Sequence, residues 1–190
     1  YAATFVDVTD NKAKERRMES IATSDELTGV LNRRGFERQA AERLSASDDN
    51  ATGALLFVDL NDFKEVNDKF GHGVGDQLLR IAAERLRKGL RTCDIIGRPG
   101  GDEFVALVPD VDADVAHHLA VRLTKALEEP YIVGDRPLRC AASIGLALYP
   151  TNASTLTGLL READQAMYRA KARCRGVSDA QGDDLLEKAI

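Results

Sequence analysis

The chain has 190 residues, enough for one domain that buries a full core without disulfide or metal staples. Hydrophobic residues make up 44% and charged residues 30%, the balance of a globular protein. A net charge of −5 excludes the basic surface of a nucleic-acid binder, so an anionic ligand has to be met by a metal or by a few placed cations.

Three cysteines, odd in number and without metal-ligand spacing, read as the reduced thiols of a cytoplasmic protein. No apolar run approaches the about 18 residues that span a bilayer, and no secretory leader is visible, so this stretch is expected to make no membrane contact. Because it opens with Tyr1, it is read as a piece of a longer protein in which a membrane anchor stays open.

Residues 4–10 have the pattern of a short strand ending in a helix cap, and residues 11–23 that of a charged helix. A helix is predicted from Asn32 or Arg33 to about Ala46, with Phe36, Ala40 and Leu44 on one face and Asp48-Asp49-Asn50 breaking it. The apolar run 54–58 predicts a central strand covered on both faces, which delivers Asp59 to its end. In the short helix that follows, Phe63, Val66 and Phe70 share the buried face while Lys64 and Asn67, three apart, share another. Gly71-His72-Gly73-Val74-Gly75-Asp76 reads as a loop between helices; it does not follow a strand, which excludes a dinucleotide fingerprint. Asp76 then opens a long helix to about Leu90.

Residues 95–108 place two apolar runs around Pro99-Gly100-Gly101-Asp102-Glu103, a β-hairpin with an acidic tip in which Pro99-Gly100-Gly101 supplies the turn. Two glycines remove the side chains that would keep a ligand off the backbone. Strand alternation sends Asp102 and Glu103 to opposite faces, so one can hold a metal while the other faces a different group. Asp112 or Asp114 caps a further helix that Pro130 ends. Strands at 131–133 and 139–149 are joined by a Gly134-Asp135-Arg136-Pro137 turn, and a last helix runs from Leu156 to about Cys174. This order implies an α+β fold, a central antiparallel sheet flanked by helices. Magnesium takes oxygen ligands, usually one or two carboxylates plus phosphates; Asp59 and the Asp102/Glu103 tip supply them if the hairpin lies beside the central strand.

Gly100-Gly101-Asp102-Glu103-Phe104 spells the signature of the GGDEF family, the diguanylate cyclases, and the chain resembles that family well beyond five letters. Counterparts of its other motifs follow in order: Asp25-Glu26-Leu27-Thr28-Gly29 with Asn32-Arg33, Phe57-Val58-Asp59-Leu60-Asn61-Asp62-Phe63-Lys64, Asn67-Asp68, Gly71-His72, Gly75-Asp76, Ser143-Ile144-Gly145, and Ala163-Asp164 through Lys171. The resemblance implies a fold similar to the palm of nucleotidyl cyclases. It also implies an activity: two GTP molecules become cyclic di-GMP and two pyrophosphates with Mg²⁺, Mn²⁺ being an alternative. One site per chain and a two-fold symmetric product require a C2 homodimer. Residues 24–176 would form the catalytic domain, 1–23 the end of a PAS-like sensory domain with a linker helix, and 177–190 a tail or linker.

Carried over residue by residue, the resemblance assigns the metals to Asp59, the Leu60 backbone carbonyl and Asp102, with Glu103 also at the metal site. Which of Asp102 and Glu103 helps deprotonate the attacking 3′-hydroxyl stays open. Guanine presents donors at N1 and N2 and acceptors at O6 and N7, suiting the amide and carboxylate of Asn67 and Asp76, with His72 nearby. Gly100 and Gly101 line the substrate, and Lys64, Lys171 and Arg175 are the triphosphate cations. Basic residues in a helix's last turn are also favoured by the dipole alone. Cys174 and Gly176 stand where the family commonly has glycine and asparagine around that arginine. Arg91-Thr92-Cys93-Asp94, with five residues between Asp94 and Gly100, matches the family's RxxD inhibitory site for cyclic di-GMP, Arg122 taking the third place. Helix capping by Arg91 is the competing explanation. The alternative function is a non-catalytic GGDEF module that binds GTP or cyclic di-GMP to regulate a neighbouring domain.

Overall fold

The computed structural model describes residues 23–46, 48 and 51–181, with 173–181 described by backbone alone. The strand and most of the charged helix expected over residues 4–23 lie outside the described residues, as do the side chains of Cys174 and Arg175. A short strand β1 (Leu31–Asn32) leads directly into helix α1 (Arg33–Ser45). Asn32 is the N-cap, its side chain accepting from the Gly35 N–H at 2.9 Å.

Strand β2 (Gly53–Leu60) is buried along its length except at Phe57, as an apolar run covered on both faces must be. Helices α2 (Phe63–Phe70) and α3 (His72–Gly89) follow, then β3 (Ile95–Gly100), β4 (Glu103–Pro109) and α4 (Ala113–Glu128). The chain closes with β5 (Tyr131–Val133), β6 (Arg136–Leu138), β7 (Ala142–Tyr149) and α5 (Leu156–Gln181). The five-stranded sheet has the order β1-β3-β4-β2-β7, with β2 antiparallel to both neighbours and only the β1–β3 pair parallel.

Alternation along β2 builds two cores. Leu56, Val58 and Leu60 join Leu79 and Leu86 of α3 and Leu123 of α4 on one face. Leu55 joins Phe36 and Ala40 of α1 and Leu159 and Ala163 of α5 on the other. Burying both faces under helices is the α+β arrangement that the element order implies. α5 lies tight on β7 because Gly145 has no side chain: a Cβ there would stand 2.0 Å from Ala163 O and 2.2 Å from Met167 N.

Three local expectations are corrected. The 71–76 segment is not a loop: only Gly71, at φ +86° and ψ 158°, separates α2 from α3, and His72 already opens the helix, so Asp76 sits in its second turn. Pro99 belongs to β3 instead of the turn; it lacks an N–H, and because it falls in the bulge between Gly97 and Gly100, past the end of β1 pairing at Arg98, no ladder bond is lost. The tip is the two-residue turn Gly101-Asp102, with Gly101 at φ +56°. The third correction concerns 139–149, which is not the second arm of a hairpin. β6 ends at Leu138 and pairs with β5 in a small separate sheet, whereas β7 crosses back to lie beside β2.

Candidate functional site

β2 carries Asp59 to the sheet's end, where its register partners are Glu103 on β4 and Ser143 on β7. Residues two apart share a face, so Asp59 and Glu103 project on the side covered by α1 and α5, in line with Leu55 and Val105. From α5, the Lys171 ammonium reaches Asp59 Oδ1 at 2.5 Å; the side chains are 20% and 12% exposed, respectively. Asp102 occupies the turn itself, its carbonyl accepting from the Leu60 N–H at 3.3 Å. The structure thus brings together Asp59, the Leu60 backbone, Asp102, Glu103 and Lys171, with Gly100 and Gly101 exposed at the tip.

Beyond β2 the chain is pinned before it enters α2. Asn61 N–H donates to Ala141 O at 2.8 Å, and Asn61 Oδ1 accepts from the Ser143 hydroxyl at 2.9 Å. Asp62 adopts a left-handed conformation and places no side-chain cap on α2, while its carbonyl accepts from the Glu65 N–H at 2.9 Å. Lys64, exposed, stands in the first turn of α2. Beside Asn61, the Cys140 thiol lies 3.2 Å from the Asn61 carbonyl, and burial together with the charges of Asp62, Asp102 and Asp59 pushes it up to about 12, so it stays a protonated, inert thiol.

Electrostatics at the tip favour a cation. Burial raises the Asp102 carboxyl above its ordinary range; a hydrogen bond from its own backbone N–H opposes this, the charge of Asp59 adds to it, and Lys171 and Arg98 give smaller relief. Glu103 is raised by burial and by Asp59, Asp102 and Asp164, with Arg33 opposing. Among the described residues no three metal-binding side chains converge on one point. A magnesium ion here would therefore take two carboxylates and a backbone carbonyl and complete its octahedron with phosphate oxygens, the pattern that suits Mg²⁺. Glu103 also lines a cavity of about 400 Å³ between α1 and α5, with Arg33, Phe57, Arg161 and Asp164.

Asn67 on α2 packs on Gly75 of α3, the residue before Asp76. The Asn67 amide packs so closely on that glycine that a Cβ would stand 2.0 Å from its Oδ1, and this oxygen is buried without a hydrogen-bond partner. Asp76, the next residue of α3, is half-buried. His72 is exposed in the first turn of α3.

Arg91, Asp94 and Arg122 line one cavity of about 1020 Å³ between α3, α4 and the turn leading to β3, at the far end of β3 from the acidic tip. The α3 carbonyl at Gly89 is capped by Arg122, at 2.7 Å, and not by Arg91, whose side chain is exposed. Asp94 Oδ2 accepts from the Arg91 backbone N–H at 2.6 Å, which closes the turn.

Sequence reasoning assigned no role to Arg98, Asp25 or Asp164, although Asp25 and Asp164 stand in recognised motifs. Arg98 pairs with Asp25 at 3.1 Å and donates to the Gly101 carbonyl at 2.9 and 2.6 Å. The available signals were its position two residues before Gly100 and the Asp25-x-x-Thr28 spacing, in which the Asp25 carboxylate accepts from the Thr28 N–H.

The family model described as diguanylate cyclase, GGDEF domain, matches residues 22–176. Curated relatives include MucR of Pseudomonas aeruginosa, a bifunctional diguanylate cyclase/cyclic di-GMP phosphodiesterase, 40% identical over 92% of this chain and 26% of its own length. The diguanylate cyclase TpbB of the same species is 40% identical over 82% of this chain and 36% of its own length. PdeR of Escherichia coli, a cyclic di-GMP phosphodiesterase, is 34% identical over 90% of this chain and 26% of its own length. The chain thus spans about a third or less of these relatives. Among solved structures, the GGDEF domain of TpbB superimposes with a TM-score of 0.75 at 38% identity, covering 79% of this chain and 89% of that one. The GGDEF domain of DgcB from Caulobacter crescentus in complex with cyclic di-GMP gives 0.71 at 26% identity, covering 80% and 91%.

Proposed function

We propose, because the chain belongs to the GGDEF diguanylate cyclase family, that it condenses two GTP molecules into cyclic di-GMP, releasing two pyrophosphates. The observation that carries this reading is the register of Asp59 opposite Glu103, which sets the metal aspartate of β2 beside an intact acidic turn. Asp59, the Leu60 carbonyl and Asp102 would hold Mg²⁺, which when bound neutralises the triphosphate and polarises the α-phosphoryl group. Lys171 exchanges its ion pair with Asp59 for a phosphate oxygen. Lys64 and the first-turn N–H groups of α2 receive the rest of the triphosphate, with Arg175 assigned there by the family pattern. Asn67 and Asp76, with His72 beside them, read the guanine edge. Asp102 belongs to the metal turn, so Glu103, held above its ordinary range, is assigned as acceptor of the 3′-hydroxyl proton of the partner's nucleotide.

One site per chain makes one bond, and closing the ring takes two domains facing each other about a two-fold axis. The test is incubation of the purified domain with GTP and Mg²⁺, at high protein concentration or fused to a dimerising module, with chromatography of the products. Cyclic di-GMP is expected. Its absence under those conditions overturns the reading in favour of a nucleotide-binding module that regulates a neighbouring domain, a role favoured by the phosphodiesterase name of the relative PdeR.

Asp76→Ala is expected to lower selection of GTP over ATP by about 10²-fold, since adenine lacks the N1 and N2 donors that this carboxylate accepts. Competition of the two nucleotides for the domain measures it; unchanged discrimination places the guanine elsewhere.

The cavity between α3 and α4 is assigned to product inhibition. Arg91 and Arg122 can fork onto phosphate or guanine N7 and O6, while Asp94 accepts from N1 and N2. Because this cavity and the acidic tip lie at opposite ends of β3, inhibition is expected to be non-competitive with GTP, acting by immobilising domains in an unproductive arrangement. Arg91→Ala is expected to weaken cyclic di-GMP binding by about 10²-fold in calorimetry. Parent-like affinity removes the assignment.

A further inference from the structure

The acidic turn has little of its own to hold it still. Gly101 sits at φ +56°, and beyond their chain neighbours neither it nor Gly100 has an atom within 4 Å of the position a Cβ would take, so these two residues are not held by packing. Arg98 supplies what packing does not. Its Nε and Nη2 both donate to the Gly101 carbonyl, at 2.9 and 2.6 Å, and its Nη1 lies 3.1 Å from each oxygen of Asp25. The Arg98 and Asp25 side chains are 12% and 21% exposed, and a planar guanidinium with fixed donor directions holds such a geometry where an ammonium does not.

The carbonyl that Arg98 grips belongs to the same planar peptide as the Asp102 nitrogen, so fixing it fixes where Asp102 begins. The carbonyl of Asp102 is meanwhile held by the Leu60 N–H at 3.3 Å, so the residue is clamped on both sides. Asp25 is itself held by several hydrogen bonds. It accepts from the Thr28 N–H at 2.9 Å and the Thr28 hydroxyl at 2.5 Å, its own N–H donates to Val30 O, and Gly29 O accepts from Arg87 of α3. These hydrogen bonds, with that from Arg98, outweigh burial and hold the Asp25 carboxyl below its ordinary range, so the pair is charged at neutral pH.

We infer that Arg98 is a positioning residue for the metal turn: anchored on Asp25, it locks the Gly101–Asp102 peptide in the orientation that presents Asp102, and so ties the turn to the loop at 25–30. The catalytic part of this inference rests on the cyclase reading; the mechanical part does not. Two measurements separate them. In the nucleotide-free domain, amide hydrogen exchange at residues 101–103 is expected to rise about tenfold in Arg98→Ala and in Asp25→Asn while exchange along β2 stays at its parent rate. With GTP and Mg²⁺, Arg98→Ala is expected to lower kcat by about 10²-fold with KM for GTP little changed, since the misplaced group acts in the transition state and not in base recognition. Arg98→Lys keeps the charge but cannot serve Gly101 and Asp25 at once, so it is expected to recover less than half of the lost exchange protection, and it carries the test should the alanine variant fail to fold. Parent-like exchange at 101–103 in the Arg98 variants overturns the inference whether or not the domain is a cyclase. A folded Arg98→Ala that raises KM while keeping kcat overturns the positioning role. A parent domain that makes no cyclic di-GMP overturns the cyclase reading alone and leaves the exchange result to decide this one.

Discussion

Asp59→Ala is expected to leave the domain folded and to cut cyclic di-GMP formation by about 10³-fold, equivalent to about 4 kcal/mol of lost transition-state stabilisation at a metal site. Asp59 is 8% exposed at the end of β2, one residue from the strand's terminus, so its removal deletes charge without opening the apolar core. The lysine it leaves behind is not stranded: the Lys171 side chain is 20% exposed, and its flexible stem can carry the ammonium to water. Asp102→Ala is expected to behave alike, because the turn's shape rests on Arg98 and Leu60 more than on the Asp102 carboxylate. Circular dichroism checks the fold and product chromatography the rate. A folded variant with near-parent activity would make the metal assignment wrong.

The second large effect is expected from steric packing alone. Gly145→Val places its Cβ against the backbone of α5, 2.0 Å from Ala163 O and 2.2 Å from Met167 N, and a helix backbone cannot yield as a flexible side chain can. The helix has to lift from β7, at a cost of about 3 kcal/mol, the upper part of the usual overpacking range. Lys171 rides on that helix, so the variant is expected to lose turnover along with stability. Gly73→Ala is the control: nothing lies within 4 Å of its added Cβ, and it is expected to stay within about 0.5 kcal/mol of the parent in denaturant unfolding. Parent-like stability of Gly145→Val would show that α5 does not rest on β7 as described.

Much of this arrangement was legible in the chain itself. The apolar run at 54–58 announced a strand buried on both faces, and β2 is that strand, because a segment with no polar alternation has nowhere to go but the centre of a covered sheet. The helix starts near Asn32 and at Asp112 or Asp114 were readable to within a residue or two, and the structure makes Asn32 and Asp112 the caps, since a side-chain oxygen that can accept from an N–H three residues on is a local signal. The acidic tip, its glycines and the motif order carried the family, and with it the α+β fold. Where local reading failed, it failed on local geometry that tertiary packing overrides. Gly71 to Gly75 looks like a loop by composition, yet Gly73 and Gly75 are drawn into α3, Gly75 because the Asn67 amide leaves room for no side chain.

By itself, then, the sequence determined the elements, the two-sided burial of β2 and the chemistry available at the tip, because helix and strand periodicity, caps and turn residues are written within a few positions of one another. Only the tertiary structure decided that β7 lies beside β2 instead of completing a hairpin with β5, that Lys171 meets Asp59 across 112 positions, and that Arg98 meets Asp25 across 73. Such pairings depend on strand order and register, which are settled by how whole faces bury against one another, and no short window of residues records that outcome.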